Sequence, residues 1–152
     1  MKKSTHQIFS AGVSFLIAIL SRLSFVGVIS SIIGAVLVGT LNDIIDFTIP
    51  GLKHRNWLTH SPISPLFFVL FILFWFIGDL FLIETQSIIF GFILFLNLEL
   101  HVFLDAFTLS GVPVFPNKKI RVQRIPFDDF RTNAIFDVIG ILSGFTAVVL
   151  AG

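Results

Sequence analysis

The chain has 152 residues, of which 55% are hydrophobic and only 12% charged, and its mean hydropathy is +0.99. A soluble domain of this size carries about 25% charged residues, so the composition describes an integral membrane protein. The net charge of +1 excludes nucleic-acid binding through bulk charge, and the lack of cysteine excludes disulfides, thiolate metal sites and cysteine nucleophiles together.

A membrane-crossing helix needs roughly 20 apolar residues. The run Ile8 to Leu41 is too long for one helix and is broken at Ser21, Arg22 and Ser24, which predicts a tight helical hairpin over 6–20 and 24–41. The first of these is short and starts at the membrane interface. Lys2 and Lys3 before an apolar run resemble a signal peptide, but no small-x-small site follows Leu20 and a second apolar run comes at once, so this helix is expected to be retained. Three further helices are predicted over 66–82, 87–107 and 133–150, the first of them opening near Pro62 and Pro65. The expected architecture is all-α: a polytopic membrane helix bundle of about five transmembrane helices, in a single membrane-embedded domain over residues 1–152. Ser30 with Gly34, and Gly140 with Gly144, are small-xxx-small pairs suited to close helix packing. The 20 phenylalanines need only face lipid or fill the bundle.

Charge sets the expected orientation. With the N-terminus in the cytoplasm, Lys2, Lys3, Lys53, Arg55, Lys118, Lys119, Arg121, Arg124 and Arg131 all fall inside, in or beside loops 42–64 and 109–132. Only Arg22 falls outside, together with Asp79, Glu84 and the C-terminus. The same topology brings all four histidines, His6, His54, His60 and His101, to the inner face with Asp43, Asp46 and Asp105.

His101 and Asp105 lie four apart near the inner end of the fourth helix, so both occupy one face and can share a cation. Ionisable residues at membrane depth are costly and usually functional. A histidine–aspartate hydrogen bond joining two helices is the plain alternative. Asp43 and Asp46 close the second helix with a three-residue offset, as ligands or as ion-pair partners of Lys53 and Arg55. His60 ends the run His54-Arg55-Asn56-Trp57-Leu58-Thr59-His60, in which Arg55 can hold a phosphate through two parallel hydrogen bonds and Trp57 suits an interfacial anchor. Thr59 or Ser61 is expected to cap the third helix. Imidazole and carboxylate together suit zinc, with manganese or iron as alternatives. One ion would take Asp43, His60, His101 and Asp105; Asp105 would bridge to a second with His6. His54 and Asp46 are additional candidates. Glu99 lies two residues from His101, about 200° around the helix, and is expected outside this site. Asp137 would pair with Arg131 or face the site from behind, and the N-terminal amine is expected to stay out of it.

The order His6, Asp43, His54-Arg55-x3-Thr59-His60-Ser61, then His101-x3-Asp105-x2-Thr108-x2-Gly111-Val112-Pro113 resembles the YdjM family of bacterial and archaeal inner-membrane proteins, described as metal-dependent hydrolases. The likeness covers most of residues 5–116. More distantly the ligand order is similar to the zinc-dependent phospholipase C and P1 nuclease group, although no histidine follows His101 to complete a three-ion site. These resemblances imply phosphate-ester hydrolysis with Asp43, His60, His101 and Asp105 around one ion and Asp105 and His6 serving another. Thr59, Ser61 and Thr108 would support the ligands from behind.

The sequence therefore points to a membrane-embedded, metal-dependent hydrolase of phosphate esters, with one or two divalent ions, a lipid-linked substrate held by Arg55, membrane lipid as its surroundings and no nucleic-acid partner. A non-catalytic metal-binding or structural protein is the alternative. Transport through a polar path marked by Asn97, Glu99 and Asp79 ranks below both.

Overall fold

The structure, a computed structural model, describes residues 1–49, 55–115 and 118–152. Its long helices are α1 (Lys3–Leu20), α2 (Phe25–Val38), α5 (Pro65–Asp79), α6 (Glu84–Ala106) and α7 (Phe130–Ala151). They match the five apolar segments of the sequence. Between them lie short helices α3 (Leu41–Thr48) and α4 (Trp57–His60) and the strands β1 (Val112–Phe115) and β2 (Lys118–Ile120).

The break between α1 and α2 falls where Ser21, Arg22 and Ser24 place it. Arg22 adopts a left-handed backbone (φ 54), and the Ser24 hydroxyl accepts the Gly27 amide to start α2. Further along, α2 stops at Gly39 and the chain resumes as α3 at an angle of 43°, so Asp43 and Asp46 do not close the second helix but ride on a separate one. Asn56 caps α4 and Ser64 caps α5, with Pro65 at its first turn; Thr59 and Ser61, expected as caps, are used elsewhere.

The expected count of five crossings is not met by length and composition. Among the described residues two helices, α6 and α7, are long and apolar enough to cross a membrane, or three if α2 and α3 form one bent span. The reasons are local: α5 has 15 residues, α2 is cut at Gly39, and the N-terminal half of α1 carries Ser4, Thr5, His6, Gln7 and Ser10.

Helix α6 is the central element. It packs on α5, α2 and α1, burying Phe90, Ile93, Leu94, Leu98, Val102 and Leu104. Helix α7 is held on the far side of α1 and exposes most of its apolar surface, including Ile135, Leu142, Phe145 and Val149. Small residues let the helices close up, as their spacing predicts. A Cβ on Gly12 would lie 1.8 Å from the Gly140 carbonyl oxygen, and one on Gly34 would lie 2.7 Å from Leu94 Cδ2. Loop 109–132 contains an antiparallel hairpin that sequence periodicity does not reveal. It opens at Gly111, whose φ of +60 suits glycine. After the hairpin the chain returns over the end of α6: the Val122 and Ile125 amides donate to the Ala106 and Phe107 carbonyls.

Candidate metal centre

Four helices deliver side chains to one point at the end of α6. Helix α1 brings His6, α3 brings Asp43, α4 brings His60, and α6 brings His101 and Asp105 one turn apart. His6, His60, His101 and Asp105 are all buried, while Asp43 keeps a third of its side chain exposed.

The donor atoms converge. His60 Nε2 lies 3.3 Å from Asp43 Oδ1 and 3.7 Å from Asp105 Oδ2. His101 Nε2 lies 3.8 Å from Asp43 Oδ1 and 3.7 Å from Asp105 Oδ2. A tetrahedral zinc ion with bonds of about 2.0–2.2 Å spaces its ligands roughly 3.3–3.6 Å apart, so each of these four histidine–carboxylate distances is close to ligand spacing. The other carboxylate oxygen, Asp105 Oδ1, turns the opposite way, 3.3 Å from His6 Nε2 and 3.2 Å from the Met1 amino nitrogen. Asp105 thus presents one oxygen to each of two groups, as a bridging ligand does. His6 stacks on His101 with ring centroids 4.2 Å apart.

Charge chemistry supports a cation here. His101 Nδ1 is 2.8 Å from the Gly39 carbonyl oxygen, which only accepts, so Nδ1 carries a proton. In the neutral ring Nε2 then holds a lone pair, and it faces two carboxylate oxygens. Nε2 has no hydrogen-bond partner among the described residues although it is buried. Lone pairs and carboxylates gathered at this spacing repel unless a cation or protons lie between them. The donor set, imidazole nitrogen with carboxylate oxygen, fits zinc and the neighbouring divalent metals. Among the described residues two ligand groups can hold an ion: His6, His101 and Asp105, and Asp43, His60 and His101. Both contain His101, which offers one nitrogen.

A cavity of about 470 Å³ opens on this cluster, lined by His6, Asp43, Arg55 and Asp105 at its floor and by Leu109 and Phe127 towards its mouth. Arg55 Nη2 is 2.9 Å from Asp105 Oδ2, and Nη1 donates to Thr108 Oγ1 at 2.5 Å. Its left-handed backbone (φ 57) is held by a bond from its amide to Asp46 Oδ2 at 2.6 Å.

The remaining sequence candidates take other places. Asp46 is buried behind His60, and its two oxygens accept from the Arg55 amide, Asn56 Nδ2 and the Thr59 hydroxyl. Ser61 donates to the Val114 carbonyl, tying α4 to the hairpin rather than to the ligands. Thr108 donates to the Asp105 carbonyl and accepts from Arg55. His54 lies outside the described residues. Glu99 faces away from His101, as its spacing predicts, into a separate apolar cavity with Pro62, Val112 and Ile120. Asp79 accepts from the Ser87 hydroxyl at the opposite end of α6, and Asp137 lines no part of the cluster's cavity. Contrary to expectation, the Met1 amino group reaches the site; burial pushes its pKa down, against the opposing pull of Asp105. The Gly39 carbonyl and Asn56 were not among the sequence candidates. The Gly39–Thr40 step beside Asp43 is the one signal that marks a helix break there.

No curated protein and no solved structure was found to match this chain. The family model described as YdjM inner membrane protein matches residues 1–151. The match spans every element that delivers a residue to the cluster, and the chain belongs to the YdjM inner membrane protein family.

Proposed function

We propose that this protein is a membrane-embedded, metal-dependent hydrolase that cleaves phosphate esters, with a lipid-linked substrate, at the cytoplasmic face of the membrane. The observation that carries this reading is the approach of His60 and His101 to Asp43 and Asp105, at 3.3–3.8 Å, beside an open cavity that the two aspartates line. A metal that only stapled helices together would need no such opening. These four residues would hold one ion, zinc or alternatively manganese or iron. His6 and the second oxygen of Asp105 would hold another. When bound, such an ion lowers the pKa of water towards neutrality and offsets charge on phosphoryl oxygens.

The chain's own residues do the rest. Arg55, fixed by Thr108 and Asp105, offers a guanidinium fork to the anionic group beside the ligands. Leu109 and Phe127, both exposed at the cavity mouth, give the apolar part of a lipid-linked ester a place to rest. Five crossings, an inner N-terminus and an outer C-terminus belong to the same reading, and its support is the one-sided distribution of lysine and arginine.

Elemental analysis of the purified protein by mass spectrometry, beside a folded His101→Ala, Asp105→Ala variant, tests the metal. One or two stoichiometric ions in the native chain, lost in the variant, are expected, followed by release of phosphate or phosphoalcohol from detergent-dispersed phosphate esters. No metal even after zinc or manganese is added back would end the hydrolase reading. Stoichiometric metal without turnover of any ester would favour the structural alternative.

A further inference from the structure

Behind the ligands, a buried carboxylate controls one of them. We propose that Asp46, acting directly and through the Thr59 hydroxyl, is the positioning residue that fixes the tautomer of His60, so that Nε2 meets the centre with a lone pair. The inference rests on the metal-centre reading for its purpose, but not for its geometry.

Asp46 lies one turn beyond Asp43 on α3 and is only 5% exposed. Its Oδ2 is 3.3 Å from His60 Nδ1 and accepts the Arg55 amide at 2.6 Å. Its Oδ1 accepts Asn56 Nδ2 at 2.8 Å and the Thr59 hydroxyl. Thr59 Oγ1 in turn lies 3.0 Å from His60 Nδ1. A hydroxyl has one proton, and Thr59 commits it to Asp46, so Thr59 can only accept from the ring. Both ring nitrogens thus face acceptors, but Nδ1 faces the nearer pair, the Thr59 oxygen at 3.0 Å and Asp46 at 3.3 Å against 3.3 and 3.7 Å for Nε2, and Nδ1 is the nitrogen assigned the hydrogen. In a neutral imidazole this leaves the lone pair on Nε2, the nitrogen directed at Asp43 and Asp105. Histidine ligands to metals commonly donate their second N–H in this way, and the partner orients the ring. Here the same carboxylate also holds the Arg55 backbone, so ligand and anion-binding side chain are set from one point.

Nitrogen-15 histidine NMR of the metal-free protein in micelles tests the assignment, with the chain's four histidines resolved and His60 identified by His60→Ala. At alkaline pH, with neutral rings, native His60 is expected as the Nδ1–H tautomer. In Asp46→Asn the amide brings an N–H against donors in either rotamer, and His60 is expected to move to Nε2–H. Zinc affinity, read by chelator competition, should fall roughly 10–100-fold. Thr59→Val should shift the tautomer in the same direction and Thr59→Ser should restore it; this pair carries the test if Asp46→Asn does not fold. An unchanged Nδ1–H tautomer in both Asp46→Asn and Thr59→Val would overturn the role of Asp46 while leaving a zinc-binding centre in place. Tautomer shifts as expected in a chain whose native form binds no zinc would confirm the positioning and end the metal reading instead.

Discussion

The crossing of α1 and α7 can be tested through three glycines that differ only in what surrounds them. A Cβ at Gly12 would sit 1.8 Å from the Gly140 carbonyl oxygen, and one at Gly140 would sit 2.7 Å from the Ile8 carbonyl oxygen. Both obstacles are backbone, so no side-chain rotation relieves them. To restore a relaxed contact near 3.5 Å, Gly12→Ala must drive α7 outward by roughly 1.7 Å. Overpacking of this kind costs about 1–3 kcal/mol, and a rigid obstacle places Gly12→Ala at the upper end. Alanine regains up to about 1 kcal/mol of helix propensity, which leaves a net loss near 2 kcal/mol. At Gly144 the nearest atom to an added Cβ is Gly12 Cα at 3.9 Å, an ordinary contact. Gly144→Ala is therefore expected to be neutral or stabilising by up to about 1 kcal/mol. Equilibrium unfolding in mixed detergent micelles, followed by circular dichroism, gives the difference between the two variants, expected at about 2–3 kcal/mol. Because α1 carries His6, metal affinity measured in parallel should fall in Gly12→Ala alone. Equal stability of Gly12→Ala and Gly144→Ala would refute the backbone-to-backbone crossing.

Other residues give independent expectations. Arg55→Ala should raise KM for an anionic ester about 10-fold or more, while metal affinity changes less; Arg55→Lys should not recover it, since the fork engages Asp105 and Thr108 through separate nitrogens. Equal loss of both in the alanine variant would count against the anion-binding role. Asn133 accepts from the Lys2 amide and the Thr5 hydroxyl and donates to the Phe127 and Asp129 carbonyls. Asn133→Ala should cost about 2–3 kcal/mol in the same unfolding assay, because the buried Thr5 hydroxyl loses its partner. At the start of α7, hydrogen bonding from the Thr132 side chain and then from its amide lowers the Asp129 pKa below its ordinary value of 3.8. A depressed carboxyl stabilises the folded state above its unfolded pKa and loses that contribution as pH falls through the folded value. The protection factor of the Thr132 amide, its exchange rate by NMR relative to that of an unfolded chain at the same pH, should therefore fall only as pH drops below 3.8, and Asp129→Asn should remove that acid dependence.

Much of the helical pattern can be read from hydropathy, because a break in an apolar run is a strong local signal. Ser21, Arg22 and Ser24 end α1, and Pro65 starts α5. The i,i+4 pairing of His101 with Asp105 follows from helix geometry alone, as does the separation of Glu99 from them. What spacing does not disclose is where a carbonyl or a second carboxylate oxygen points. Asp43 and Asp46 have similar sequence surroundings, yet one faces the cluster and the other backs His60, because a three-residue step turns the helix by about 300° and the α3 axis is itself tilted. The pairing of Val112–Phe115 with Lys118–Ile120 is not legible because neither segment carries an alternation of residue type. Apolar length likewise passes over the polar residues that crowd the N-terminal half of α1.

The bend between α2 and α3 has a consequence for assembly. In an unbroken helix the Gly39 carbonyl would accept the amide of the residue four places on; here His101 Nδ1 takes that oxygen. The same interruption re-aims the helix that bears Asp43. Straightening this joint would withdraw the partner of one ligand and carry another out of range in a single movement. The two candidate ligands therefore depend on one joint, and a change that straightens it is expected to disturb both together.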